Sequence, residues 1–497
     1  MKKLIAIFLV AVMALSLLAC SKQDPQAQQQ QATEGEFVWE GKTPEVEGFQ
    51  VGFARRNISP TAPVPISGIS ANSTDRMSTS VHDTLYASAL CMTDSNGNTY
   101  VFMTWDLQGL YASVWNVIRD TVASETGVPR ENIYMTTTHT HSGPAVGSDA
   151  VAYMEEYRGM LGAQCIAAAK EAILDRKPAE MYYSQVETER MNFVRHYYYI
   201  DENGDKQYFG DQYRINNTVY NETTRHASEA DPTMYIVRID REGAEDIVMA
   251  NWRAHPHLYT SSSSYRVSAD FIGAFRTALE MKYDCKFMYF QGAAGNVNNK
   301  SKIAGEAQTF EYGEYGRIMA EYALEAMESE TKVESTVITS RTVTKKYPAN
   351  HSEDHLYSVA LVCRDMWKSG QYSNSEATAY GEPYGVYGPI HAGSIISNSK
   401  RGETVTDELN AISFGDQLCI VTAPHELFDT NSMWLEGVSP YEVTMTFGYT
   451  NGFNGYVPSA QAVEYGCYEK NCTYLMPGSG EVIQEDLLSM LNDMFEN

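Results

Sequence analysis

The sequence predicts an α/β protein with mixed α+β layers, built as one large domain. Short apolar runs typical of buried strands alternate along the chain with longer segments whose apolar residues recur at helical spacing. Several of the strand-like runs end in Gly, Pro or polar residues, where sites are usually built. No internal repeat is detectable in the sequence.

The elements are predicted in the following order. Apolar runs typical of strands lie at 100–107, 133–138, 246–252, 286–290, 335–343 and 417–422. Helical spacing of apolar residues is found at 113–126, 160–174 and 315–327. Segment 380–388 is so rich in Gly, Pro and Tyr that we predict a loop without regular structure, either mobile over a cleft or packed on the surface.

The N-terminus has the composition of a secretory signal. Lys2 and Lys3 precede an uncharged apolar run at 4–18, a layout typical of a signal rather than of a membrane-spanning helix. The run leads into Leu-Leu-Ala-Cys, which is similar to the bacterial lipobox. We therefore predict a lipoprotein signal peptide at 1–19, a lipidated Cys20 with a flexible Gln-rich tether at 20–45, and a folded domain at 46–497. The protein is then extracytoplasmic and anchored by its lipid to a bacterial membrane.

Charge and cysteine content limit the partners and crosslinks. The chain has 37 basic and 63 acidic residues, and its formal net charge of −26 argues against nucleic acid, because phosphate binding requires a basic face. Among the eight cysteines, Cys467 and Cys472 are close enough in sequence to form a small disulfide in an exported protein. The odd number left after Cys20 leaves at least one thiol free or paired between molecules.

The segment Thr-His-Thr-His-Ser-Gly-Pro at 138–144 is the first candidate site. Residues two apart in an extended chain point the same way, so His139 and His141 are expected to face one cleft. One imidazole can bind a metal while the other contacts a substrate. The alternative is that both are polar side chains that cap loop carbonyls.

Four other segments have the same form, a strand-like run that ends in polar residues, Gly or Pro. They are 251–257, 289–298, 421–428 and 448–458. Together and in this order, with supporting matches at 51–54, 58–60, 82–87, 268–271 and 415–416, these segments resemble the neutral ceramidases and their bacterial relatives. The resemblance covers most of residues 50–497 and implies the family's large N-terminal catalytic domain. It also implies that the C-terminal sandwich domain of characterised members is absent, because the chain ends about thirty residues after Tyr468.

The resemblance implies a zinc ion. The neutral ceramidases hydrolyse the amide bond of ceramide to a fatty acid and sphingosine. Their metal ligands match His139 in His-Thr-His, His255 before a proline, Glu426 in the Pro-x-Glu segment and Tyr456 in Gly-Tyr-Val. Two imidazoles and a carboxylate form a reasonable catalytic zinc set that leaves room for water, and the tyrosine rests on the resemblance alone.

The resemblance further implies that His141, Arg195 and Tyr468 line the reaction centre. All three can donate to the tetrahedral oxyanion, and His141 is expected to protonate the departing amine. One segment departs from the family. Ceramidases have Gly-Asp-Val-Ser-Pro-Asn with an essential serine, whereas this chain has Gly-Asn-Val-Asn-Asn-Lys at 295–300, so Asn298 takes the serine position and Asn296 takes the aspartate position. An amide side chain cannot act as a nucleophile, but it can hydrogen-bond a substrate carbonyl or headgroup.

Other polar residues near these segments have two interpretations. Asp106 and Asp270 follow apolar runs and either orient the zinc-bound histidines or cap the chain. We expect His82 to have a structural hydrogen-bonding role. His425 is expected to point away from the site, because neighbours on an extended chain face opposite ways.

The leading hypothesis is zinc-dependent hydrolysis of an amide bond in a ceramide-like N-acylated lipid at the cell surface, with release of a fatty acid. One alternative is a metal-dependent amidase or esterase that acts on another small amide. Another is a lipid- or glycan-binding lipoprotein without catalysis. Asn298 is the best support for the non-catalytic alternative, whereas the complete set of ligand types argues against it.

Overall fold

The computed structural model describes residues 39–68, 76–109, 112–210, 221–259, 265–303 and 310–496. One compact unit comprises Lys42–Asn497. The predicted signal peptide, Cys20 and most of the tether lie outside the described residues, so these assignments and the domain boundaries stay predictions. Within the described ranges, no helix is long and apolar enough to cross a bilayer.

The strands, in chain order, are β1 (Gln50–Asn57), β2 (Ser80–Val81), β3 (Tyr86–Thr93), β4 (Thr99–Trp105), β5 (Ile133–Thr137), β6 (Lys177–Glu187), β7 (Phe193–Val194), β8 (His196–Ile200), β9 (Lys206–Gly210), β10 (Arg225–His226), β11 (Thr233–Arg241), β12 (Asp246–Trp252), β13 (Arg266–Val267), β14 (Cys285–Gln291), β15 (Val297–Asn298), β16 (Thr331–Lys332), β17 (Ile338–Pro348), β18 (Thr404–Phe414), β19 (Leu418–Thr422), β20 (Glu426–Leu427), β21 (Val443–Phe447) and β22 (Tyr456–Val457).

The α-helices of the described residues are α1 (Ala112–Thr126), α2 (Tyr153–Leu174), α3 (Phe271–Lys282), α4 (Tyr312–Met327), α5 (Tyr357–Lys368), α6 (Asn374–Gly381), α7 (Pro389–Asn398), α8 (Asp429–Val438), α9 (Ala460–Tyr465) and α10 (Ser479–Phe495).

Two sheets form the body of the domain. The first has the strand order β14-β12-β11-β6-β1-β3-β4-β5, with β16 beside β6, and only its pairs β12–β14 and β4–β5 are parallel. The second has the order β17-β18-β19-β21, of which the pair β19–β21 is parallel. In each parallel pair the carboxyl ends of both strands lie at the same edge, which gathers the loops that follow them.

The main core lies between the two sheets. Val51 and Phe102 of the first sheet and Ile412 of the second belong to one buried apolar cluster. Within it, Phe290 of β14 stacks on Phe447 of β21, with ring centroids 4.4 Å apart. Each such side chain contributes about 1.5–3 kcal/mol through burial, so the contact holds the ends of β14 and β21 together.

Helices cover the outer faces of both sheets. Phe275 of α3 and Met319 of α4 pack in one cluster with Phe287 of β14. Leu435 of α8 and Leu487 of α10 pack in another cluster, which contains residues of the second sheet. The arrangement is therefore helix, sheet, sheet, helix, and the predicted α/β class with mixed layers is confirmed.

The predicted loop at 380–388 is wrong for its first half. Ser373 and Glu376 form a capping box that starts α6, and this helix continues through Gly381. A short 3₁₀ turn, Glu382–Tyr384, follows before Gly385 reverses the chain at φ 91°. The local cap outweighs the low helix propensity of the glycine and proline that follow.

The described cysteines are free thiols. Six are buried and Cys472 is half-buried. Cys467 and Cys472 therefore do not form the disulfide that their spacing permits. Burial raises the pKa of the Cys472 thiol to about 12, which makes it a poor nucleophile.

Candidate active site

The candidate site lies at the carboxyl ends of β5, β12, β14, β19 and β21. Backbone hydrogen bonds tie these ends together. Gly448 N donates to Gln291 O over 3.0 Å, and Asn451 N donates to Met135 O over 2.8 Å. The five segments that the sequence singles out therefore meet at one place in the fold.

Three histidines are oriented by backbone carbonyl groups. The Nδ1 contacts are His139 to Gln108 O at 2.7 Å, His141 to Gly68 O at 2.9 Å and His255 to Val297 O at 3.2 Å. A carbonyl oxygen can only accept, so Nδ1 carries the proton in each pair and the Nε2 lone pair is left for a ligand. Metal-binding histidines are commonly fixed in this way.

The free nitrogens converge on one carboxylate. His139 Nε2 lies 3.3 Å from Glu426 Oε2, and His255 Nε2 lies 3.4 Å from the same oxygen. His141 Nε2 is 3.2 Å from His139 Nε2. One nitrogen from each of the three rings lies within 4.8 Å of the others.

These residues fit a metal ion. His255 Nε2 and Glu426 Oε2 are buried, and neither has a hydrogen-bond partner of good geometry among the described residues. A buried polar atom without a partner costs about 1–3 kcal/mol and is rare in native proteins. A divalent cation between them would satisfy both atoms, and imidazole nitrogen with carboxylate oxygen is a donor set that zinc accepts.

Electrostatics favour the protonation states that such a cation requires. Burial, followed by the charge of Arg195, lowers the pKa of His255 to about 4. Burial opposes ionisation of Glu426, but the attraction of His139 and His255 outweighs it and lowers the Glu426 pKa to about 2. The site therefore presents a neutral imidazole at His255 beside an ionised carboxylate at neutral pH.

The backbone of His139 differs from the expected one. β5 ends at Thr137, and His139 has φ 64°, in the left-handed region that costs a non-glycine residue about 1–3 kcal/mol. The sequence predicts that His139 and His141 share a direction because side chains alternate along an extended segment. That expected cause is wrong. Both rings nevertheless face the same centre, because the turn redirects the first of them.

Tyr456 is held beside Glu426 by a short parallel bridge. The two residues are register partners in the pair β20–β22, so their side chains lie on one side of it. The Tyr456 ring lies 6.4 Å from that of His255, with an interplanar angle of 22°. Burial raises the pKa of the Tyr456 phenol well above its ordinary value, with a further contribution from Glu426.

Arg195 and Tyr468 lie next to Tyr456. The guanidinium carbon of Arg195 is 5.6 Å from the ring centroid of Tyr456 and 5.9 Å from that of Tyr468. Its Nη2 donates to Gly295 O over 2.7 Å. The three predicted side chains are thus brought together next to the histidine cluster.

Asn298 lies in β15 and faces the second histidine of the 251–257 segment. Asn298 Oδ1 is 3.0 Å from His257 Nε2, and the Asn298 backbone forms a bridge with His255. The side chain is therefore held at the site by an imidazole. Burial, followed by His255, lowers the pKa of His257 to about 3.

The two aspartates that the sequence offered as histidine partners bind other groups. Asp106 accepts from Arg276 Nη2 at 2.8 Å and from the backbone of Tyr86. Asp270 caps α3 and accepts from the backbone N of Tyr259. Of the two interpretations offered for these aspartates, a role in orienting the histidines is wrong, because backbone carbonyl groups do this instead, and the capping role is confirmed for Asp270.

His82 and His425 have structural contacts. His82 Nε2 contacts the hydroxyl of Tyr312, as expected for a structural role. His425 Nε2 lies 2.7 Å from Asp407 Oδ2, and both side chains are fully buried. His425 thus points away from Glu426, its neighbour in sequence, in agreement with strand alternation.

Sequence reasoning missed two residues at the site. Tyr449 stacks on His139 with ring centroids 4.2 Å apart, and its buried hydroxyl lacks a hydrogen-bond partner in the part of the chain that the structure describes. Glu469 binds Arg195 and His196 from the loop that carries Tyr468. Tyr449 lies in a segment that the sequence singles out, but no spacing distinguishes it, and the contacts of Glu469 are formed only in the tertiary fold.

Comparisons with known proteins give a clear result for the fold. No protein-family model matches the sequence, and no curated protein matches it. Among solved structures, the neutral ceramidase from Pseudomonas aeruginosa matches with a TM-score of 0.66 and 15% sequence identity, covering 91% of this chain and 75% of that one. A ceramidase complexed with C2 matches with a TM-score of 0.65 and 14% identity, covering 91% and 76%. The chain therefore has the fold of the neutral ceramidases.

Proposed function

We propose that this protein is a zinc-dependent amidohydrolase that cleaves the amide bond of a ceramide-like N-acylated lipid and releases a fatty acid. The observation that carries the proposal is the convergence of His139 Nε2 and His255 Nε2 on Glu426 Oε2. This arrangement occurs in a chain with the fold of proteins that are named ceramidases.

The zinc ligands in this proposal are the four that the resemblance implies: His139, His255, Glu426 and Tyr456. Two buried atoms, His255 Nε2 and Glu426 Oε2, have no hydrogen-bond partner within the described ranges, and this supports the choice. When bound, zinc supplies Lewis acidity, which polarises an amide carbonyl and lowers the pKa of a water molecule.

The remaining side chains act on the substrate. Arg195 and Tyr468 donate hydrogen bonds to the oxygen that becomes negatively charged when water adds to the amide carbon. His141, fixed through Nδ1 by Gly68 O, takes a proton from the attacking water at Nε2 and gives it to the departing nitrogen. The C–O bond forms, the C–N bond breaks, and the products are a fatty acid and an amine.

Asn298 is proposed to contact the substrate without forming a covalent bond to it. The amide side chain has no nucleophilic oxygen, so a step that depends on serine is excluded at this position. His257 holds its Oδ1, and the side-chain NH₂ group remains a donor suited to a carbonyl or hydroxyl of the lipid. The preferred headgroup is therefore expected to differ from that of enzymes with serine at this position.

The proposed location is outside the cytoplasm, on a bacterial membrane, through a lipid on Cys20. The support is the basic and apolar N-terminus and its lipobox-like end. A tethered enzyme of this kind would meet its lipid substrate at the membrane surface.

Two alternatives are favoured by Asn298. One is a metal-dependent amidase or esterase that acts on another small amide, and the other is a lipid- or glycan-binding lipoprotein without turnover. Zinc titration combined with an activity assay separates them. The amidase binds zinc and needs it for turnover of a different substrate, whereas the binding protein shows no zinc-dependent turnover of any substrate.

The test of the proposal is release of free fatty acid from a panel of N-acyl amides that includes ceramide. The protein from about Gly35 onward is assayed with and without a zinc chelator. Chelator-sensitive release supports the proposal and identifies the substrate class. Absence of release across the panel from zinc-loaded protein contradicts it.

A further inference from the structure

Glu469 is a buried carboxylate in direct contact with the candidate site. It follows Tyr468 in sequence and is 1% exposed. One carboxylate oxygen, Oε1, accepts from Arg195 Nε over 2.6 Å, and the other, Oε2, lies 3.0 Å from His196 Nε2. We propose that Glu469 is the positioning residue that fixes the Arg195 guanidinium beside Tyr456 and Tyr468, an inference that rests on the proposed function.

The guanidinium is held at two of its edges. Glu469 binds Nε, while Gly295 O accepts from Nη2 over 2.7 Å. An arginine side chain has many rotamers, and two anchors on different nitrogens restrict the orientation of the fork. In this orientation the guanidinium carbon lies between 5 and 6 Å from both tyrosine ring centroids.

The charge of Glu469 is maintained by its partners. Burial opposes its ionisation, but Arg195 and His196 outweigh this effect and keep its pKa well below the ordinary value. An anion at this position allows Arg195 to remain charged in a largely buried place. A neutral side chain there would leave the arginine charge without its strongest partner.

His196 connects Glu469 to residues farther from the site. Its Nδ1 lies 2.6 Å from the hydroxyl of Tyr465 in α9, and Tyr465 stacks on Tyr208 of β9. A chain of contacts therefore runs from α9 through His196 and Glu469 to Arg195. Each contact restricts the position of the next side chain in the chain.

A second metal site at this place is a weaker interpretation. His196, Cys467 and Glu469 each have a potential ligand atom within 4.8 Å of the others. Both ring nitrogens of His196 already have hydrogen-bond partners, however, and Arg195 occupies one oxygen of Glu469. A cation would have to displace these contacts and lie against the positive charge of Arg195.

The kinetic test is a double-mutant cycle on fatty-acid release. Glu469→Gln is expected to lower kcat by about 10- to 100-fold, with KM changed less than about twofold, because the arginine acts on the transition state. In an Arg195→Ala background the same change is expected to alter kcat by less than about twofold. Additive losses in the two backgrounds, or a loss confined to KM, would overturn the inference.

Two further variants separate positioning from general damage. His196→Gln keeps Glu469 and removes one of its partners, so kcat is expected to fall by about tenfold, again only when Arg195 is present. This variant replaces Glu469→Gln in the cycle if the latter fails to fold. Glu280→Gln is the matched control, because Glu280 pairs with Arg55 on both carboxylate oxygens elsewhere in the fold. It is expected to leave kcat unchanged.

A measurement that does not depend on turnover tests the geometry itself. In protein labelled with ¹⁵N-arginine, the Nε–H resonance of Arg195 is identified by its loss in Arg195→Lys. It is expected to exchange slowly with water in the parent protein and at least about tenfold faster in Glu469→Gln, because the hydrogen bond to Glu469 protects it. Equal exchange in both would refute positioning by Glu469. If no amide is hydrolysed, the proposed function fails. The exchange rate of the Arg195 Nε–H still shows whether Glu469 positions Arg195.

Discussion

Gly295 is the position at which adding a single methyl group should most directly disturb the proposed metal centre. A Cβ added there would lie 2.5 Å from the carbonyl oxygen of Glu426 and 2.9 Å from that of Leu427. Ordinary contact begins at about 3.4 Å, so the backbone beneath the Glu426 carboxylate must move by about 0.9 Å in Gly295→Ala. A displacement of this size at a reacting centre costs about 100-fold in rate.

The assay for Gly295→Ala has two parts. Fatty-acid release is expected to show a fall of about 100-fold in kcat/KM, and competitive titration is expected to show zinc affinity reduced by about 10- to 100-fold. Overpacking also lowers the free energy of unfolding by about 1–3 kcal/mol, which denaturant unfolding measures. The steric reasoning is refuted if a folded Gly295→Ala protein keeps both the parent zinc affinity and the parent kcat/KM.

Gly159→Ala is the matched control for Gly295→Ala. Gly159 lies within α2, is exposed, and has nothing within 4 Å of the position of an added Cβ. Alanine is the better helix former, so the free energy of unfolding is expected to rise by about 0.5–1 kcal/mol. Activity is expected to stay at the parent level. A comparable loss in this control would show that the assay reports a general effect of the substitution.

Three further predictions follow from single contacts. His139→Ala removes a ligand, so zinc binding and activity should disappear together and kcat should fall by at least about 1,000-fold. The control His351→Ala, at a half-buried histidine that pairs with Asp354, should keep both. Full activity in His139→Ala would contradict the zinc assignment. Asn298→Ser restores a hydroxyl next to His257 and is expected to raise ceramide turnover; an unchanged rate on every substrate would show that this position does not set specificity. Glu353 lies 2.8 Å from His391 Nε2, and although burial opposes its ionisation, this contact lowers its pKa below 4.5. The contribution of Glu353 to stability is therefore present above about pH 4.5 and is lost as the pH falls through the folded-state pKa. Glu353→Gln should weaken the pH dependence of the free energy of unfolding, measured with urea between about pH 3 and 6. An unchanged pH dependence would refute this contribution.

Most of the strands that the sequence predicts lie close to their predicted bounds, because their apolar character is local, whereas buried strands such as β3 and β11 are not predicted. β12 has the predicted bounds, Asp246–Trp252, and β5 differs from its prediction by one residue. β17 is displaced: the prediction covers 335–343, whereas the strand is Ile338–Pro348. It lies at the edge of the second sheet, so its later half is polar and carries no apolar signal.

The candidate site is predictable as a set of segments and less so as a set of contacts. The polar strand ends, taken in order, carry the resemblance to the neutral ceramidases, and that resemblance implies His139, His255 and Glu426 as metal ligands. The carbonyl groups that orient the histidines belong to loops whose paths no local pattern records. Arg195 and Glu469 are 274 positions apart, so only the tertiary fold brings them together. The left-handed conformation of His139 is likewise imposed by the fold and not by residue type.

The most direct test of zinc-dependent catalysis is a titration of metal-stripped protein with zinc, followed at each step by bound metal and by fatty-acid release from the N-acyl amide panel. Catalysis at the His139, His255 and Glu426 cluster predicts that release rises with bound zinc and stops rising at about one equivalent per chain. Two results would contradict it. One is full activity of the metal-stripped protein before zinc is added, and the other is zinc binding without release of fatty acid from any amide.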